Sequence, residues 1–172
     1  MMEENINMEL AGYENTLVKE FRAMETLVNI SRNERELILK GSPNSLIKNT
    51  EEKEAAIDRF SLLEENSRMF LQKIALKLQL QSERASIKEI LPCLRKEDSE
   101  RITRLLDGIN ALVSTARELN LGNQALVLTR MDWLMATQSF IASLMQPEKS
   151  YQMPLAVNGG RDTTISSMEY KV

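Results

Sequence analysis

The chain has 172 residues, with 22 Lys and Arg against 25 Asp and Glu, one Cys, ten Met and no His. That length suits one domain around one extended core, and the lack of His beside a single Cys excludes an internal disulfide, a Cys/His zinc site and the commonest proton-transfer side chain. A net charge of −3 leaves no electrostatic footprint for nucleic acid or an anionic membrane, and six Gly and four Pro are too few for a many-turned β fold. The expectation is an all-α, cytoplasmic protein that is not an enzyme and carries no cofactor or metal.

The opening MMEENINMEL has neither a basic nor an apolar region, so no targeting segment is expected. From about residue 3 to 40 the apolar positions Leu10, Tyr13, Leu17, Phe21, Met24 and Val28 recur at spacings of three and four, the mark of one helical face. Gly41-Ser42-Pro43 stops this helix, because Gly suits a left-handed cap and Pro cannot continue the ladder. A second helix is predicted from about Asn44 or Ser45 to Gln81, with Leu46, Thr50, Ile57, Phe60, Leu63, Phe70, Ile74 and Leu78 on its inner face. So short a connection makes the two an antiparallel hairpin.

Ser86 to Leu91 suits a short helix, which Pro92 interrupts. A third long helix is predicted from about Asp98 to Gln146, turning Ile102, Leu105, Ile109, Leu112, Ala116, Leu119 and Leu126 to the hairpin. Gly108 and Gly122 lie inside it at a cost of ~1 kcal/mol each relative to Ala, which points to close helix–helix contact ahead of a bend. The bundle domain is thus expected over 1–146. Residues 147–172 have no periodicity and carry Pro154 and Gly159-Gly160, so a flexible C-terminal tail is expected.

Charge is distributed unevenly. Residues 44–81 hold 12 charged side chains, whereas 109–146, an equal length, hold four: Arg117, Glu118, Arg130 and Asp132. With ~100° per residue, the apolar residues from 126 to 145 span an arc of about 240°, while a bundle helix needs little over 100° to face its own core. Gln124 to Met145 is the least polar stretch, but Arg130 and Asp132 argue against a membrane span. The surplus apolar surface is read as a partner groove formed by Leu126, Met131, Leu134, Met135, Phe140, Ile141, Leu144 and Met145, in which flexible Met side chains accept varied apolar partners. The alternative is a non-catalytic helical homodimer or adaptor that uses the same face as its seam.

The remaining motifs offer no site for chemistry. Glu51, Glu52 and Glu54 around Lys53 read as a solvated face with i,i+4 pairs and not as an acid/base cluster. Cys93 has Arg95 and Lys96 nearby but no His to act as its base. Gly159-Gly160-Arg161 lacks the strand and the Lys-Ser/Thr of a phosphate loop.

Two stretches resemble the flagellar export chaperones of the FlgN type. One is the hairpin, with E-R-E-L-I-L-K-G (34–41), Leu46, E-K-E-A-A-I (52–57), Leu63 and Arg68; the other is E-L-N-L-G-N-Q-A-L (118–126), with its paired Asn120 and Asn123. Gln146-Pro147-Glu148 and Tyr151 are similar to the family's helix end and tail tyrosine. The resemblance spans roughly residues 10 to 151. It implies a protein that binds the C-terminal helical segments of flagellar hook-associated (hook–filament junction) proteins, keeps them from assembling early and delivers them to the type III export gate. It further implies a substrate surface on the last helix and a docking role toward the gate for Tyr151, with Tyr170 as the alternative.

Overall fold

The computed structural model describes residues 2–80 and 86–145, with side chains from residue 6 onward. The expected tail, 147–172, lies outside the described residues. Four helices follow in order: α1 (Met2–Lys40), α2 (Pro43–Lys77), α3 (Ile87–Ile90) and α4 (Lys96–Met145), with a 3-10 turn at Leu91–Cys93 between the last two. No strand occurs among the described residues. The chain divides into two compact units, Met1–Asp132 and Trp133–Val172. The first holds the bundle, and the described part of the second is the last thirteen residues of α4.

In the first unit α1 and α2 form an antiparallel hairpin. Glu9 pairs with Lys77 at one end and Glu34 with Lys53 toward the other. Gly41 adopts a left-handed φ of 67°, and its N–H reaches Ile38 O while Ser42 N–H reaches Leu37 O. These two bonds close a Schellman cap that only Gly enters without a Cβ penalty. Helix α2 then starts at Pro43, slightly before the predicted start, because Pro is preorganised for the first helical turn and its missing N–H would be unpaired there anyway. It ends at Lys77, short of Gln81, in a second cap of the same kind. Gln79 takes φ 56°, with Leu80 N–H on Ala75 O and Gln79 N–H on Leu76 O. No Gly marks that end in the sequence, which is why periodicity overran it.

Ser86 opens α3 with a full capping box, its hydroxyl accepting from Lys88 N–H while Glu89 reaches back to the Ser86 N–H. Pro92 sits in the first turn of the following 3-10 segment. Helix α4 runs parallel to α1 within this unit. Arg101 meets Glu14, Gly108 meets Phe21, Asn123 meets Ser31 and Arg130 meets the Leu39 carbonyl.

The core is built from Leu10, Tyr13 and Leu17 of α1, Ile74 and Ala75 of α2, Ile90 of α3, and Ile102 and Ile109 of α4. Full burial of each large aliphatic side chain contributes about 1.5–3 kcal/mol. A Cβ on Gly108 would lie 2.9 Å from the Phe21 ring, and one on Gly12 would lie 2.5 Å from the ring of Phe70. Gly108 therefore serves close contact, as its place in a long helix suggested.

The inner face of α2 needs correction. Thr50 and Ile57 are exposed, whereas Asn49, Lys53, Ala56 and Ser67 turn inward. Near the hairpin turn the three helices meet through polar groups, so an apolar periodicity drawn through Thr50 and Ile57 follows the wrong side of the helix.

Candidate functional site

Where the hairpin turn approaches α4, the two sequence stretches that carry the family resemblance come together. The Glu34 carboxylate on α1 takes Lys53 Nζ of α2 at 2.7 Å and Asn123 Nδ2 of α4 at 2.8 Å, both on Oε2. Lys53 also donates to Asn120 Oδ1 at 3.0 Å, and Asn123 donates to the Ser31 carbonyl at 2.8 Å. Asn49 of α2 adds a bond to the Ile30 carbonyl at 3.3 Å. Lys53 and Glu34 each retain 15% side-chain exposure, so this ion pair is far drier than a surface pair and gains accordingly from its extra hydrogen bonds. Lys53 was expected on a solvated face; it is instead the cation of a polar layer shared by three helices. Its former neighbours Glu51, Glu52 and Glu54 remain exposed.

The layer sets register. Sliding α4 by a turn would leave the Glu34–Lys53 pair of the hairpin intact but take Asn120 from Lys53 and Asn123 from Glu34 and the Ser31 carbonyl, leaving buried polar groups short of partners. Gly122 sits beside it with the Arg35 guanidinium 3.2 Å from where a Cβ would be, which lets that side chain lie across α4. A shallow groove opens alongside between α1 and α4, with Ile38, Val127 and Leu128 as its apolar walls and Glu34, Asn120 and Asn123 as its polar end.

The eight residues expected to contact a partner lie along α4 beyond this layer. In the first unit Leu126 is half-buried and Met131 is exposed. In the second unit every described residue except Thr137 is exposed, and this includes Leu134, Met135, Phe140, Ile141, Leu144 and Met145. Trp133 is 67% and Leu144 69% exposed, values no core side chain shows. No charged residue occurs between Trp133 and Met145. Tyr151 and Tyr170 lie outside the described residues.

The other candidates carry no constellation. Cys93 is exposed, with its thiol near the Glu89 carbonyl at 3.6 Å. Arg101 is engaged by Glu14 at 2.9 and 3.2 Å and by Asp98 at 2.7 Å. Glu20, buried on α1, has its carboxyl raised above the usual range, mainly by loss of water, and Glu64 adds to the rise. Neither Glu20 Oε1 nor Ser67 Oγ has a hydrogen-bond partner. Periodicity could not reveal Glu20, because a Glu on a charged helix reads as solvated until the neighbouring helix is placed over it. Among the described residues no group of His, Cys, Asp and Glu could hold a metal ion, and no helix is long and apolar enough to cross a membrane.

These features define an all-α hairpin bundle with a three-helix polar layer and a long, uncharged apolar stretch open to solvent. The family model for FlgN protein matches residues 8–155. The chain belongs to the FlgN family, whose members act as flagellar export chaperones. No curated protein and no solved structure matches it.

Proposed function

We propose that this chain is a cytoplasmic chaperone for the C-terminal helical segments of flagellar hook-associated (hook–filament junction) proteins, which it holds unassembled and passes to the type III export gate. The observation that carries this reading is the exposed, uncharged stretch of α4 in a member of a chaperone family. A client whose helices pair with each other in the assembled flagellum must hide an apolar face beforehand. An exposed helix with Met at 131, 135 and 145 beside aromatic Phe140 offers such a face adaptable cover.

Contact residues are Leu126, Met131, Leu134, Met135, Phe140, Ile141, Leu144 and Met145. Tyr151 is assigned to the gate. Co-expression with candidate hook-associated proteins followed by co-purification tests the reading. The double variant Met135→Asp and Ile141→Asp is expected to lose at least about tenfold in affinity, since each buried apolar side chain contributes over 1 kcal/mol. Undiminished binding by that folded variant moves the site off this face. Tyr151→Ala is expected to spare client binding and reduce secretion; loss of both together assigns Tyr151 to the client site.

A further inference from the structure

Helix α2 carries a second apolar row on the side away from the core. Leu62, Met69 and Leu76 follow one another at intervals of seven, and they are 60%, 48% and 76% exposed. At ~100° per residue this row lies about 160° round the helix from Phe60, Ser67 and Ile74, which turn inward. The outer face of a bundle helix is ordinarily polar. A large apolar residue once in every seven is the repeat of a helix that packs along a partner helix.

Charge is ordered along both edges of the row. The positions four before each apolar residue are Asp58, Glu65 and Gln72, and those three before are Arg59, Asn66 and Lys73. Steps of four and of three turn to opposite sides of the row, so one edge is acidic and the other basic. All four charged side chains are exposed. Asp58, Arg59 and Glu65 have no ion-pair or side-chain hydrogen-bond partner among the described residues, whereas Glu64 and Arg68, off the row, pair with each other. The Lys73 ammonium lies 5.4 Å from the centroid of the Phe70 ring. Charges of opposite sign on the two edges of an apolar row are how helices select partners and fix their register.

We propose that the outer face of α2 docks one helix of a partner protein. That helix is amphipathic, with apolar residues recurring every seven positions. It carries Lys or Arg along the edge that meets Asp58 and Glu65, and Asp or Glu along the edge that meets Arg59 and Lys73. Three large side chains along about 21 Å of helix bury less than the ~1,200 Å² of stable interfaces, so the complex is transient. The face lies on a different helix from the contact residues assigned to the client and does not rest on that assignment.

The test uses the full chain carrying Met135→Asp and Ile141→Asp, which removes the competing apolar face of α4. The probe is a fluorescein-labelled, Ala-rich peptide of four heptads with Leu once in every seven residues, Lys along one edge and Glu along the other. Fluorescence anisotropy is expected to give a dissociation constant on the order of 10–100 μM. Leu62→Asp and Met69→Asp are each expected to weaken binding at least about tenfold with unchanged helical circular dichroism. A second peptide with Glu on both edges is expected to bind at least about fivefold more weakly. Asp58→Lys together with Glu65→Lys is expected to restore its binding. Absence of binding, binding indifferent to Leu62→Asp, or equal binding of the two peptides overturns the proposal and leaves the chaperone reading untouched. A chain mass that falls on Leu62→Asp without peptide, measured by sedimentation equilibrium, gives the row to a second copy and overturns it as well.

Discussion

At the end of α2 the backbone turns left-handed on a glutamine. A side chain with a Cβ at φ 56° costs about 1–2 kcal/mol relative to the right-handed region. Glycine removes that cost but loses part of it to the greater freedom of the unfolded chain. Gln79→Gly is therefore expected to stabilise the fold by about 0.5–1 kcal/mol, measured as a higher denaturant midpoint at constant slope. Glu20 makes the second residue-scale prediction. Its carboxyl is raised in the fold, chiefly by burial, so the folded state favours the neutral acid. Stability linked to this group is full below the unfolded value and is lost as pH rises through the folded one. Glu20→Gln removes that loss, so it is expected to stabilise by about 1 kcal/mol at neutral pH. The gain should fade as pH drops toward the ordinary carboxylate range, which thermal melts across pH will show.

At the scale of elements, the polar layer decides how α4 lies against the hairpin. Lys53→Met leaves the half-dry Glu34 carboxylate with Asn123 as its remaining donor, and is expected to cost about 2–3 kcal/mol. Adding Glu34→Leu removes the stranded charge and is expected to recover part of the loss, so the two changes are non-additive. A double-mutant cycle by chemical denaturation measures this. Purely additive losses would mean that the pair is independent. The helices themselves were legible from spacing: α1 shows a full apolar face, and Leu10, Tyr13, Leu17, Met24 and Val28 are all buried. The polar layer was not legible as such. Glu34, Lys53, Asn120 and Asn123 stand on three helices, and no local pattern indicates that a Glu and a Lys nineteen positions apart will meet. In the sequence they share only membership of the two stretches that resemble the FlgN family, and the structure supplies the physical link between them.

At the scale of the molecule, charge is concentrated on the hairpin and nearly absent from the end of α4. A partner held by the uncharged stretch gains little from long-range attraction and loses little to screening. Client binding is therefore expected to change less than about twofold between about 0.05 and about 0.5 M NaCl, as isothermal titration calorimetry can check. A strong fall with salt would place the contact on the charged hairpin instead.

Composition, spacing and the fall in charge after Ile109 by themselves determined the helical class, the hairpin and which stretch of α4 carries surplus apolar surface. They could do so because helix periodicity and solvation are local, repeating properties of neighbouring residues. Only the tertiary structure decided that Lys53 turns inward, that Thr50 and Ile57 turn out, that Glu20 is buried and that α2 stops on a left-handed glutamine. Each of these depends on what another helix brings close, and a helical residue has no inside or outside until that neighbour is in place.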